Sequence, residues 1–135
     1  MTARELKNKI DAYLRDKASE NRLGGYNEEY SLEEVINAAN LTLEEINYKG
    51  IIKTSFTMET CDPYLLRLGT AKTLISGTIV AKTRNYVTVN DGGVSVNREG
   101  NIDLYTRLYQ IINDEFQEQL DAKKCHINLM RGWNN

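Results

Sequence analysis

The stretch Tyr86–Asn97 places the tightest constraint on how this chain can fold, because its pattern, YVTVNDGGVSVN, is typical of a β-hairpin. Asn-Asp-Gly-Gly supplies the positive-φ positions that a tight turn needs, and valines alternate with polar residues on either side. With Asp91-Gly92 as the turn, one face of the hairpin carries four paired valines: Val87, Val89, Val94 and Val96. We therefore predict a β-hairpin over residues 86–97.

The apolar face of this hairpin needs a cover, because an isolated two-stranded hairpin is only marginally stable in water. Either the chain's own helices or a neighbouring chain can supply that cover. We predict that another protein chain covers the face in part, through contacts at Tyr86, Val87, Val89, Val94 and Val96. An internal clasp between two helices is the alternative.

Capping patterns predict two helices in the first half of the chain. Thr2 and Glu5 form a capping-box pattern at the start of helix 1, which we place over residues 3–22. The sequence Ser31-Leu32-Glu33-Glu34 is a second capping-box pattern and opens helix 2. Thr42 can cap a new start, so helix 2 is either one bent helix or two short ones.

Two further helices flank the predicted hairpin. Asp62-Pro63 marks the start of helix 3, because aspartate caps helices and proline fits the first turn; this helix extends to about Thr83. Asn101 caps helix 4, which extends to about Lys123. Its apolar residues recur with helical spacing: Tyr105, Leu108, Tyr109, Ile112, Phe116 and Leu120.

These elements define the predicted fold class, which is mainly α: a four-helix bundle with one β-hairpin inserted between helices 3 and 4 and an extended C-terminal tail. A length of 135 residues suits a single domain. Within that domain, residues 1–23 can form a mobile N-terminal helix, and residues 31–123 form the helical core. Residues 124–135 form the tail.

The composition is that of an ordinary globular protein, with 41% hydrophobic and 27% charged residues. No apolar run approaches the ~20 residues of a membrane span, and the N-terminus does not read as a signal peptide. The only cysteines, Cys61 and Cys125, cannot form a disulfide framework. We therefore expect a cytosolic chain in a reducing compartment, with no membrane partner.

Candidate catalytic and metal-binding residues are few. His126 is the only histidine and adjoins Cys125, but adjacent residues point in different directions on a helix or a strand. No cluster of Cys, His and carboxylates has the spacing of a metal site. Gly92-Gly93 lacks the lysine and Ser/Thr of a phosphate-binding loop. We therefore predict no enzyme activity, no metal and no cofactor.

Charge is distributed unevenly along the chain, although the net charge is only −2. Residues 28–45 hold six glutamates and no basic residue, whereas residues 67–98 hold five basic residues and one acid. Such blocks are often solvated helix faces. The alternative is electrostatic complementarity across a subunit contact. In that case glutamates of one copy would face basic residues of a neighbour: Glu33, Glu34, Glu44 and Glu45 against Arg67, Lys72, Lys82 or Arg84.

The C-terminal tail carries Arg131 and Trp133, which are residue types typical of binding hot spots. They either anchor the tail to another protein or fold back onto helix 4. A winged-helix DNA-binder is a weaker reading of the whole chain, with residues 31–39 and 42–48 as its helix–turn–helix. Glu44 and Glu45 would then carry negative charge toward the phosphates, which is electrostatically unfavourable.

The order of the elements resembles that of the helical head–tail connector, or neck adaptor, proteins of tailed bacteriophages. The likeness spans about residues 31–123. It rests on the acid-rich helix 2, the Asp-Pro-capped helix 3 (DPYLLRLGTAKTLISGTIVAKT), the VTVNDGGVSVN hairpin and the tyrosine-bearing helix 4. The resemblance implies a connector-like bundle and structural work rather than chemistry.

The resemblance also implies partners and a location. Connectors of this kind form homo-oligomeric rings, commonly of twelve copies, beneath the portal protein at the neck of the virion, after synthesis in the host cytoplasm. They extend the DNA channel, through which DNA passes without specific binding, and they dock the next neck or tail protein. The alternative from another class is a non-enzymatic cytosolic protein-binding module or regulator.

Overall fold

Four α-helices follow one another in the computed structural model of this protein, which describes residues 1–14, 30–89 and 96–133. They are α1 (Ala3–Leu14), α2 (Leu32–Tyr48), α3 (Pro63–Val89) and α4 (Val96–Trp133). The N-terminal half of predicted helix 1 is present as α1, whereas residues 15–29 lie outside the described part. Leu6 and Ile10 of α1 are fully buried against the rest of the bundle.

Three of the four predicted helix starts are confirmed by their hydrogen bonds, whereas the predicted cap of helix 4 at Asn101 is wrong, because α4 already begins at Val96 and Asn101 lies inside it. Thr2 and Glu5 bond reciprocally, with the Glu5 amide donating to Thr2 Oγ1 at 3.2 Å and the Thr2 amide donating to Glu5 Oε2 at 3.0 Å. Ser31 Oγ accepts from the Glu34 amide at 3.2 Å, and Asp62 caps α3. Each side chain satisfies a main-chain donor that the helix itself leaves unpaired.

Helix α2 is continuous through Thr42, so of the two alternatives the single helix is the one observed. Thr42 is fully buried rather than acting as a cap, and its Oγ1 lies 3.3 Å from Thr73 Oγ1 of α3. The chain leaves α2 at Gly50, whose φ of 97° lies in the left-handed region that glycine adopts without steric cost. Any other residue would be strained at this position.

The predicted β-hairpin is wrong, and with it the predicted fold class. Residues 86–89 continue α3 and residues 96–97 begin α4, and the described residues contain no strand. The turn residues 90–95 lie outside the described part. The preference of valine for strands depends strongly on context. Once a helix as long as α3 has nucleated, each added residue gains a main-chain hydrogen bond, whereas a lone hairpin is marginal.

The predicted extended tail is also wrong, because α4 continues without a break from residue 124 to Trp133. The sequence Lys124–Trp133 contains no proline, and Lys124 takes the core position that follows Phe116 and Leu120 along the helix. Packing at Lys124 and at the partly buried Ile127 therefore carries the helix past the boundary that the aromatic and leucine pattern had indicated, and residues 128–132 continue it as exposed residues.

Helices α3 and α4 lie antiparallel and form the centre of the bundle. Tyr64 near the start of α3 donates to Glu115 Oε1 at 2.9 Å, while Lys82 near its end lies over the ring of Tyr105. Midway, Gly69 allows close approach: a Cβ added there would lie 2.7 Å from Phe116 Cε2. The largest fully buried apolar side chains come from all four helices: Leu6, Ile10, Val35, Ile46, Leu66, Leu68, Ile75, Ile112, Phe116 and Leu120.

Candidate functional site

The C-terminal end of α4 extends beyond the first turn of α3. Because Phe116 lies beside Gly69 in antiparallel helices, Pro63 is level with about residue 122 of α4. Residues 123–133 therefore continue past α3 by about 16 Å, at 1.5 Å per residue. The connection between α2 and α3, residues 49–62, packs along this part of α4.

Lys124 holds that connection in place. Its side chain is almost fully buried, and its ammonium group donates to three neutral oxygens: the main-chain oxygen of Ile52 at 2.8 Å, Thr54 Oγ1 at 3.1 Å and the main-chain oxygen of Asn47 at 3.4 Å. Burial, and to a lesser extent the charge of Arg131, lower the pKa of Lys124. The lysine thus links α4 to the end of α2 and to the connection, and these three oxygens hydrogen-bond its buried ammonium group.

Asn47 organises the same connection from the end of α2. Its Oδ1 accepts from the Phe56 amide at 2.8 Å and from Thr54 Oγ1 at 3.0 Å, while its Nδ2 donates to the main-chain oxygen of Phe56 at 3.0 Å. The sequence interpretation missed both Asn47 and Lys124. The only available signal was that Lys124 is in phase with the apolar stripe of α4.

A groove of about 440 Å³ lies where the connection meets the last turns of α4. One cation, three hydroxyl side chains and two apolar side chains line it: Arg131, Thr54, Ser55, Thr60, Phe56 and Ile127. Close by, the end of α4 exposes Leu129 and Met130, which are 62% and 50% accessible. We call residues 123–133 the α4 end.

A second groove, of about 400 Å³, lies between α2 and α3, and we call it the α2–α3 groove. Small and polar side chains form most of it: Tyr30, Glu34, Asn37, Ala38, Leu41, Thr73, Leu74, Gly77, Thr78 and Ala81. A hydrogen bond of 2.7 Å between Tyr30 and Thr78 closes one end. Leu41 is 56% exposed at its edge.

Two of the charged residues predicted to meet across a subunit contact meet within one chain. Lys72 donates to both carboxylate oxygens of Glu45, at 2.7 and 2.9 Å, and lies over the Phe116 ring. Burial of Glu45 opposes its ionisation, but the hydrogen bonds and charge of Lys72 hold the pKa of Glu45 below its ordinary value. This pair joins α2 to α3, so it does not face a neighbour.

The other predicted charged residues fall into two groups. Arg67 stacks between the rings of Tyr13 and Tyr64, at 4.9 and 5.1 Å from their centres, and Lys82 lies over Tyr105. These two basic side chains therefore also contact their own chain. The remaining four are exposed: Glu33, Glu34, Glu44 and Arg84.

The predicted hairpin contacts do not share a sheet face. Tyr86, Val87 and Val89 belong to the end of α3 and Val96 to the start of α4, whereas Val94 lies outside the described residues. Arg131 is exposed on the α4 end, and Trp133 is the last residue of α4. The structure thus places the two predicted tail anchors on a helix.

The cysteines and the histidine lie apart in the fold. Cys61 is buried at the start of α3, and burial, with a smaller effect of Asp62, raises the pKa of its thiol to about 11. Cys125 and His126 are exposed on α4. Among the described residues, no three His, Cys, Asp or Glu side chains come together as metal ligands would.

None of the described helices combines the length and apolar character required to cross a membrane. Comparison of the chain with protein-family models, with curated proteins and with solved structures gave no match.

Proposed function

We propose that this protein is a structural virion protein without enzymatic activity, a head–tail connector that assembles as a ring under the portal of a tailed bacteriophage. In that position it extends the DNA channel and docks the next neck or tail protein. The sequence resemblance over residues 31–123 supports this proposal through the acid-rich α2, the Asp-Pro-capped α3 and the tyrosine-bearing α4. The inserted hairpin no longer contributes to the resemblance.

The observation that carries the proposal is the α4 end. It extends about 16 Å beyond α3 and exposes Leu129, Met130 and Arg131 together. Methionine and arginine are among the residue types enriched at protein–protein contacts.

The α4 end is also preorganised for a contact. Lys124 ties its first turn to the α2–α3 connection through two hydrogen bonds and to the end of α2 through a third, so the helix is anchored where it passes the connection. A contact surface that is already ordered loses less conformational entropy on binding. This support favours a docking element over a loose tail.

The experiment that tests the proposal uses virions of the phage whose genome carries this chain. Mass spectrometry of purified particles should find the chain, and electron microscopy should place it between the portal and the tail. Virions that lack the chain would refute the proposal. A chain recovered only from the unassembled fraction of infected cells would instead be a cytosolic binding module.

A variant pair makes the same experiment specific for the α4 end. We expect Met130→Asp to yield heads without tails, because the substitution places a charge on the contact surface while the fold stays intact. Ile111→Asp is the matched control, since Ile111 is 68% exposed in the middle of α4, away from its end. Equal particle yields from the two variants would show that the α4 end makes no contact that assembly of the neck requires.

A further inference from the structure

The α2–α3 groove has the character of a docking site for a helix. Small side chains at Ala38, Gly77 and Ala81 are part of its lining, and a Cβ added at Gly77 would meet nothing within 4 Å. Leu41 stands half-exposed at the edge.

The acidic residues around the α2–α3 groove favour a basic partner. Helix α2 contains no basic residue, and its exposed acids are Glu33, Glu34 and Glu44, of which Glu34 lines the groove. The α4 end has the opposite character: residues 123–133 contain no acid, and their accessible basic residues are the partly exposed Lys123 and the exposed Arg131. Complementary charge of this kind selects a partner and fixes its register.

The α4 end cannot occupy the groove of its own chain. Met130 lies 14 residues beyond Phe116, which is level with Gly69, whereas the groove residues Thr73–Ala81 lie in the opposite direction along the axis. Met130 and the groove of the same chain are therefore separated by roughly 30 Å along the helix axis. The continuous helix of α4 prevents the end from folding back across that distance.

We propose that the α2–α3 groove of one copy receives the α4 end of a second copy, with Met130 in the groove and Arg131 beside Glu34. Each copy then carries both halves of the contact at different places. Such a heterologous contact propagates from copy to copy and closes into a ring when the rotation permits. This inference rests on the self-association within the proposed function and adds the two surfaces that make it.

Engineered cysteines test the contact directly. In the full-length chain with Cys125→Ser, the pair Asn37→Cys and Met130→Cys places one thiol at the groove and one on the α4 end. Since the two positions within a chain are too far apart to bond, oxidation should give a ladder of trimers and larger species. The matched control pairs Met130→Cys with Asp114→Cys, because Asp114 is exposed on the middle of α4.

The outcomes separate this inference from the proposed function. A ladder from the groove pair, absent from the control pair, supports the contact. Dimers alone, no cross-link at the highest attainable concentration, or equal ladders from both pairs would overturn it. If virions contain the chain but no ladder forms, only this inference fails. If a ladder forms but virions lack the chain, only the proposed function fails.

Charge reversal supplies a second measurement. Glu34→Arg or Arg131→Glu should each lower the cross-linked fraction about tenfold, and the two together should restore it. Asp114→Arg changes the net charge equally away from the groove and should have no effect. Failure of the double reversal to restore cross-linking would exclude the pairing of Glu34 with Arg131.

Discussion

The ammonium nitrogen of Lys124 lies 2.8 Å from the main-chain oxygen of Ile52, a residue 72 positions earlier in the chain. Through this bond and two others, one side chain connects the last part of α4 to the end of α2 and to the loop that follows it. The stem of Lys124 also packs on Gly50, where an added Cβ would lie 3.2 Å from its Cγ. Both proposals depend on an α4 end held in this way.

Lys124→Met should destabilise the protein by about 1–3 kcal/mol, the usual range for losing hydrogen bonds made by a charged group. Methionine retains much of the apolar stem, so the loss reports the hydrogen bonds to Ile52, Thr54 and Asn47 rather than a cavity. Urea unfolding followed by circular dichroism measures it. Lys123→Met is the control and should stay within about 0.5 kcal/mol; equal losses would show that Lys124 contributes no more than its neighbour.

Gly69→Ala and Gly77→Ala should change stability in opposite directions, although both glycines lie inside α3. At Gly69 the new methyl group would collide with Thr42 and Phe116, and overpacking of this kind costs about 1–3 kcal/mol. At Gly77 it meets open space, so the better helix propensity of alanine should add about 0.5–1 kcal/mol. Thermal unfolding of both variants measures the difference. A stabilised Gly69→Ala variant would contradict the close approach of α4.

Three of the four helix starts were predictable because a cap depends on residues two or three positions apart; the start of helix 4 was not, since Asn101 lies inside α4. Ser31 and Glu34 make the bond that their spacing indicates, whatever the rest of the chain does. Formation of a strand cannot be predicted from nearby residues in this way, since its hydrogen bonds come from a second strand. The alternating valines at 87 and 89 therefore predicted a hairpin, whereas growth of α3 places both residues in a helix.

The candidate site was less predictable because its contacts join distant parts of the chain. The complementarity of the acidic and basic blocks was visible in the sequence, but Glu45 and Lys72 pair between two helices of one chain rather than between copies. Lys124 was assigned to the tail, since the predicted helix 4 ended at about Lys123. Only the three oxygens supplied by residues 47–54 make its burial possible.

The two cysteines should differ sharply in reactivity. Cys61 is buried, and with its pKa raised to about 11 it is almost entirely protonated at neutral pH, whereas Cys125 is exposed. Because the thiolate is the reactive species, a maleimide should label one thiol per native chain and two after unfolding in urea. Cys125→Ser should abolish the native labelling. Rapid labelling of that variant would contradict the burial of Cys61.

The ion pair of Glu45 with Lys72 should make stability depend on pH in the acid range. The pKa of Glu45 is lower in the folded chain than its ordinary value of 4.5. The stabilisation is therefore fully present above about pH 5 and is lost as the pH falls through the folded-state pKa. Glu45→Gln should lower the free energy of unfolding by about 1–2 kcal/mol at pH 7, a modest loss because the partly exposed carboxylate is screened by solvent.

The gap in unfolding free energy between Glu45→Gln and the parent chain should narrow at about pH 3. Urea midpoints at the two pH values measure this gap, and the exposed Glu44→Gln is the control. A gap that is unchanged at low pH would mean that Glu45 acts through packing rather than through its charge.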